Sequence, residues 1–285
     1  MLDYLKAKLE RRRLKRTFAE YGHTVERFEI DGYGTVEYAQ WQHPFEKPKV
    51  LTRAHIAFYE RLAAPGDLIV DVGAHTGDTT VPMALAVGPA GEVIALEPNR
   101  YVFEVLAANA GLNPARTNIE PLCFAATAAD GAFTFNYSDA SFGNGGFLSA
   151  IESDRHRHAY ELDVEGRNLQ DYLRAHHAAD LARLALVKVD AEGYDKEILK
   201  SLAEVLDRYR PTVITECYRR LTEAERLDLY AVLEGHGYAA YRLGDLEGGA
   251  PLERLSAGDM MATRHFDLLA VHPSRRGAVT LDLPD

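Results

Sequence analysis

Leu68-Ile69-Val70-Asp71-Val72-Gly73-Ala74-His75-Thr76-Gly77-Asp78 is the stretch that decides how this chain folds. Leu68 to Val72 reads as a short apolar strand, and a helix is expected over about 77–87. Between them Gly73 and Gly77 let the backbone turn sharply and approach a ligand closely. The helix that follows offers free amide donors and the positive end of its dipole, which suits a small carboxylate-bearing ligand. The loop has no lysine for a triphosphate, which argues against a P-loop.

Working outward, strands and helices alternate. Strands are expected at Glu92 to Leu96, Asn118 to Phe124, Ala132 to Tyr137, 160–164, Leu184 to Val189, Pro211 to Thr215, 237–243 and 265–271. Helices are expected over about 51–63, 99–110, 168–176, 193–207 and 222–235. The pattern predicts an α/β fold, doubly wound, with a mostly parallel seven-stranded sheet. The last two strands lack a long helix between them and should pair antiparallel at one edge. Residues 24–41 alternate apolar and polar around Gly32 and Gly34 and read as a β-hairpin. The chain then divides into a basic helix and hairpin over 1–50 and a main domain over 51–285.

In such sheets ligands bind at the carboxyl ends of strands. The second strand ends in Glu97-Pro98-Asn99, and Glu97 lies 24 residues after Gly73. An acid there can accept both ribose hydroxyls of a nucleoside. The expected ligand-binding residues are therefore Asp71, Gly73, Ala74, His75, Thr76, Gly77, Glu97, Pro98 and Asn99. The G-x-x-x-G spacing differs from the G-x-G-x-x-G of a dinucleotide loop. A nicotinamide-dependent oxidoreductase and a non-catalytic nucleoside-binding module stand as the alternatives to a transferase.

Composition sets outer bounds. The chain has 285 residues, 47% hydrophobic and 26% charged, with a formal net charge of -11. That acidity argues against nucleic acid as a partner. Residues 1–17 run the other way, with a net charge of +5 and Leu2, Leu5 and Leu9 at helical spacing. Weak contact with an anionic membrane surface, or attachment to a partner, is one reading of this helix, and a solvated helix packing against its own acidic domain is the other. Cys123 and Cys217 sit in apolar runs and read as two buried thiols, which points to a reducing compartment. With no long apolar run and a charged start, a cytoplasmic protein is expected.

Four blocks together resemble the FkbM-like methyltransferases. They are Asp71 to Gly77, Ala95-Leu96-Glu97-Pro98, Val187-Lys188-Val189-Asp190-Ala191-Glu192-Gly193-Tyr194-Asp195-Lys196-Glu197-Ile198-Leu199, and Val213-Ile214-Thr215-Glu216. The resemblance covers roughly residues 55–272. Family members often carry Asn where this chain has His75, and Val where it has Ala191. The resemblance implies a Rossmann-like class I methyltransferase with S-adenosyl-L-methionine as donor and S-adenosyl-L-homocysteine as product. It also implies O-methylation of a hydroxyl on a sugar, glycan or glycosylated natural product.

Methyl transfer to a hydroxyl needs alignment and a group that takes the proton. Asp190, Glu192 and Glu216 end neighbouring strands and are the expected catalytic residues. Three such carboxylates can also bind Mg²⁺, although the metal-free arrangement is the one expected. The glycine-containing segment from Ser138 to Ser149 reads as a lid or acceptor loop. Tyr33, Tyr38, Trp41 and His43 read either as a stacking surface for a sugar or as hairpin core. His156, His158, His176 and His177 read as solvated. Oligomeric state is not legible in the sequence.

Overall fold

The computed structural model describes residues 2–143, 147–148, 160–247 and 249–284. In chain order the elements are α1 (Leu2–Leu14), β1 (His23–Ile30), β2 (Gly34–Trp41), α2 (Arg53–Glu60), β3 (Leu68–Val72), α3 (Thr80–Val87), β4 (Glu92–Leu96) and α4 (Arg100–Leu112). Then come β5 (Ile119–Leu122), β6 (Ala125–Thr127), β7 (Gly131–Tyr137), β8 (Phe147–Leu148), β9 (Tyr160–Asn168), α5 (Leu169–His176) and β10 (Leu184–Val189). The chain continues through α6 (Asp195–Ser201), α7 (Ala203–Tyr209), β11 (Thr212–Cys217), α8 (Glu223–Gly235), β12 (Ala239–Leu243), β13 (Glu253–Arg254) and β14 (Phe266–Val271).

The main sheet has eight strands in the order β13-β12-β14-β11-β10-β3-β4-β5. From β11 to β5 every pairing is parallel. Strands β3, β10 and β11 are buried along their whole length, and β3 and β10 accordingly read as apolar runs with one charged residue each, Asp71 and Lys188. The expected fold class is present, with two corrections. The antiparallel strand β14 is not at the edge: it lies between β11 and β12. The two-residue β13 pairs with β12 and brings the sheet to eight strands.

A second sheet, β6-β9-β7-β8, was not expected. The run read as one strand from Asn118 to Phe124 stops at Leu122, and the chain re-enters this second sheet at Ala125. The helix expected over 193–207 is two short helices meeting at Leu202. Cys217 is buried in β11 as expected, whereas Cys123 lies just past β5 and is exposed.

Local sequence explains several helix starts. Thr52 accepts from the amide of His55, and Asn99 from that of Tyr101. Thr222 and Glu225 form a reciprocal capping box at α8. Helix α3 is buried at every position, which fits its unbroken apolar sequence.

The hairpin β1–β2 docks on α4 through two asparagines one helical turn apart. Asn109 Oδ1 accepts from Ala39 N at 2.7 Å, and its Nδ2 donates to Ala39 O at 3.1 Å and to Thr76 O at 2.7 Å. Asn113 treats Glu37 the same way, accepting at 3.0 Å and donating at 2.8 Å. The helix thereby supplies the edge of β2 with the partners a further strand would have offered. No helix among the described residues is long and apolar enough to cross a membrane.

Candidate active site

A cleft of about 500 Å³ opens at the carboxyl ends of β3, β4 and β10. One wall is the glycine loop after β3 together with Glu97-Pro98-Asn99 after β4. The other carries Lys188, Asp190, Ala191, Glu192 and Tyr194. Phe124, Ala125, Ala126, Phe135 and Tyr137 close it from the second sheet and its approach.

The glycine loop is over-determined. Gly73 has φ +78°, and a Cβ there would stand 2.0 Å from the carbonyl oxygen of Asp190. Only glycine lets the two strand ends approach this closely. His75 also has positive φ, at 49°. Its amide donates to Glu97 Oε2 at 3.1 Å, and Asn99 N donates to Glu97 Oε1 at 2.8 Å. Glu97 is 7% exposed, and that burial pushes its pKa up to about 7 against the two amide bonds. Each oxygen keeps a further lone pair for a ligand hydroxyl.

Of the expected ligand-binding residues, Gly73, His75, Glu97, Pro98 and Asn99 line the cleft. The others are placed differently. Asp71 is fully buried, with Oδ2 accepting from Thr80 Oγ1 at 2.7 Å and Thr79 Oγ1 at 3.1 Å, and Oδ1 lying 3.3 Å from Lys188 Nζ. It braces the loop from below and does not line the cleft. Ala74 and Gly77 turn into the small core beneath α4, close to Leu106. Thr76 bonds the Tyr38 hydroxyl at 2.8 Å.

On the opposite wall, Lys188 is buried with Nζ between Asp71 and Asp190, 3.5 Å from Asp190 Oδ2. Burial opposes its charge, but the two carboxylates hold its pKa above the usual lysine value. The Asp190 side chain is 47% exposed and faces the cleft. Glu192, at φ +50°, also lines it, and burial and then the Asp190 charge raise its pKa.

Glu216 departs from expectation. It is 8% exposed, is not among the lining residues, and lies 3.2 Å from His265 Nδ1. Burial, with Asp190 and Glu192 adding to it, pushes its pKa up to about 9. It is therefore protonated at neutral pH and is no base there.

Sequence reasoning missed Asp195. Its buried carboxyl accepts from Gly193 N at 3.0 Å, Thr215 Oγ1 at 3.2 Å, Glu216 N at 3.3 Å and Ala191 N at 3.4 Å. That set of donors holds the turn carrying Asp190 and Glu192, while burial pushes its pKa up to about 7. An acid at the start of a helix after an Asp-x-Glu-Gly turn was the available signal.

The aromatic residues of the hairpin resolve as core. Tyr38, Trp41 and His43 are buried, and none of Tyr33, Tyr38, Trp41 or His43 lines the cleft. His43 Nε2 lies 3.4 Å from Asp139 Oδ1, which also accepts from Ser141 N and Gly143 N at 3.1 Å. Phe142 stacks on Tyr101, and Gly143 reaches the cleft. Asn144, Gly145, Gly146 and Ser149, with His156 and His158, lie outside the described residues. His176 is exposed, but His177 is buried, 3.2 Å from Glu120. Among the described residues, the three-ligand grouping with metal-like spacing is Glu92, Glu120 and His177, around the amino end of β4 and outside the cleft.

The family model of the Methyltransferase FkbM domain matches residues 71–240, which contain the glycine loop, Glu97 and the Asp190–Glu192 turn. The chain belongs to the FkbM methyltransferase family. Methyltransferase sdnD of Sordaria araneosa is 26% identical over 191 residues, covering 60% of this chain and 73% of that protein. Among solved structures, Methyltransferase FkbM from Methylobacillus flagellatus is similar with a TM-score of 0.44 and 15% identity, covering 77% of this chain and 51% of that one. A SAM-dependent O-methyltransferase from Thermotoga maritima is similar with a TM-score of 0.41 and 14% identity, covering 88% and 78%. The family match identifies the chain as a methyltransferase and sets aside the nicotinamide-dependent alternative.

Proposed function

We propose that this methyltransferase uses S-adenosylmethionine to methylate a hydroxyl of a sugar, glycan or glycosylated metabolite. The observation that carries the reading is Asp190, a half-exposed carboxylate that lines the same cleft as Glu97. The residues present fit the cofactor. Gly73 presents bare backbone to the cleft, and Glu97 lines it with acceptor capacity left on both oxygens.

When bound, the cofactor supplies an electrophilic methyl group on a sulfonium. Glu97 holds ribose hydroxyls, and the glycine loop gives backbone access beside them. Asp190 accepts a hydrogen bond from the acceptor hydroxyl, orients its oxygen, and takes its proton with Glu192 as neighbour. The Lys188 ammonium behind Asp190 fixes that carboxylate in the wall. Two carboxylates flanked by Tyr194, Tyr137 and Phe135 make a surface suited to a polyhydroxyl ring with apolar faces.

The test is calorimetric titration with S-adenosylhomocysteine, followed by transfer of a labelled methyl group to panels of glycosides, amines and carboxylic acids. Micromolar binding and label confined to hydroxyl-bearing acceptors are expected. Label on amines or carboxylic acids alone would overturn the O-methylation reading.

A further inference from the structure

Lys49 sets its ammonium between two carboxylates on the cleft wall. Its Nζ lies 3.0 Å from Glu46 Oε1 and 3.1 Å from Asp78 Oδ2, and all three residues line the cleft. Asp78 directly follows the glycine loop, whereas Glu46 and Lys49 come from the connector ahead of residues 71–240, outside the family match.

That connector is held in place. Buried Gln40, on β2, grips both main-chain groups of Lys49: its Oε1 accepts from Lys49 N at 2.9 Å, and its Nε2 donates to Lys49 O. His75 links the cluster to the rest of the site. Its amide is bonded to Glu97, while its ring lies in the field of Glu46, Asp78 and Lys49. Burial holds that ring's pKa below the usual histidine value, so it is neutral at pH 7 and leaves the charge pattern to its neighbours. The cleft thus has an acid suited to vicinal hydroxyls at the His75 amide, and near the His75 ring a partly exposed cluster of one cation and two anions, with side-chain exposures of 13–32%.

A cluster with one surplus negative charge complements a ligand group carrying an ammonium and a carboxylate on the same carbon. The ammonium satisfies the surplus acid, and the carboxylate accepts a hydrogen bond from the Lys49 N–H that points to neither Glu46 nor Asp78. Charge-assisted bonds of this kind are strong where protein walls shield them from water. Lys49 holds Asp78 below the usual carboxylate range although burial alone would raise it, so the acid stays charged for this task.

We propose that Glu46, Lys49 and Asp78 form the subsite for the α-amino-acid end of the cofactor, so that the connector between hairpin and main domain completes the cofactor site. Lys49 takes the carboxylate, and Asp78 with Glu46 takes the ammonium. The assignment rests on the S-adenosylmethionine reading above.

The experiment compares two ligands by calorimetry on the full chain. S-adenosylhomocysteine has the amino-acid end, and 5′-methylthioadenosine shares the nucleoside and thioether but lacks it. The wild type should bind the former at least roughly tenfold more tightly. Lys49→Met should weaken S-adenosylhomocysteine by roughly 10- to 100-fold and leave methylthioadenosine within about twofold. Asp78→Asn should shift the two ligands in the same unequal way, and Lys49→Arg should keep most of the affinity. Equal losses for both ligands in Lys49→Met, or no loss for either, would overturn the subsite. So would a wild type that binds the two ligands equally. A wild type that binds neither overturns the cofactor reading itself, and the subsite with it.

Discussion

The two walls of the cleft are built on opposite plans. On the Gly73–Glu97 wall, polar groups are tied down before any ligand arrives. Both Glu97 oxygens already accept amides, and Asn109 and Tyr38 fix the Thr76 segment from outside. On the Asp190–Glu192 wall the turn is equally well held, by Asp195, but the carboxylates it presents are left open or protonatable. In the proposed reaction, pre-organisation on one side would serve binding, and available carboxylate on the other would serve proton handling.

Gly73→Ala is the strongest way to break this arrangement, because its Cβ would collide with the Asp190 carbonyl and the backbone sits at positive φ. Both walls should separate, with a loss of about 3 kcal/mol or more in thermal stability and no detectable S-adenosylhomocysteine binding. A variant that melts and binds like the wild type would show that the walls do not depend on each other.

Asp190→Asn should sharpen the contrast. Turnover should fall by roughly 100-fold or more while S-adenosylhomocysteine affinity stays within about threefold, as measured by steady-state kinetics and calorimetry. Matched losses in both would place Asp190 on the binding side.

Glu97 ties binding to pH. Its folded pKa of about 7 lies above the ordinary 4.5, so its contribution to stability is present in full below about 4.5 and is lost as pH rises through 7. The unliganded protein should melt several degrees lower at pH 8 than at pH 5. Glu97→Gln should flatten that slope, removing up to about 3 kcal/mol of pH dependence. It should also weaken S-adenosylhomocysteine by about tenfold. An unchanged slope would mean that Glu97 is not the buried acid that titrates.

Glu216→Gln should have the smallest effect. A carboxyl that is already protonated at pH 7 is replaced by a neutral group of the same shape, so turnover should stay within about twofold. A loss like that of Asp190→Asn would return Glu216 to the reacting wall.

Strands β3, β4 and β10 were legible to the residue, because strands covered on both faces are mostly apolar, the buried Asp71 and Lys188 pairing with each other. Glu97 and Asp190 were legible because ligands gather at the ends of such strands. The second sheet was not: β6 is three residues long, and its pairing with β9 joins residues about 40 apart. Asn109 and Asn113 looked like ordinary polar positions on α4, yet their partners on β2 lie 70 and 76 residues away in sequence. Equally hidden was the contact of the connector with the glycine loop, since nothing local to Glu46 and Lys49 points to Asp78.

By itself the sequence determined the fold class, the glycine loop, and the acids that end the strands, because periodicity, glycine freedom and strand-end position are local properties of the chain. Tertiary structure alone decided which of the acids meet the cleft. Asp71, Asp190 and Glu216 are equally acidic in sequence. One is spent on Lys188 and two threonines, one is half-exposed beside that same lysine, and one is buried and protonated. Burial and the charge of spatial neighbours set the state of a carboxyl, and both arise only when distant segments pack.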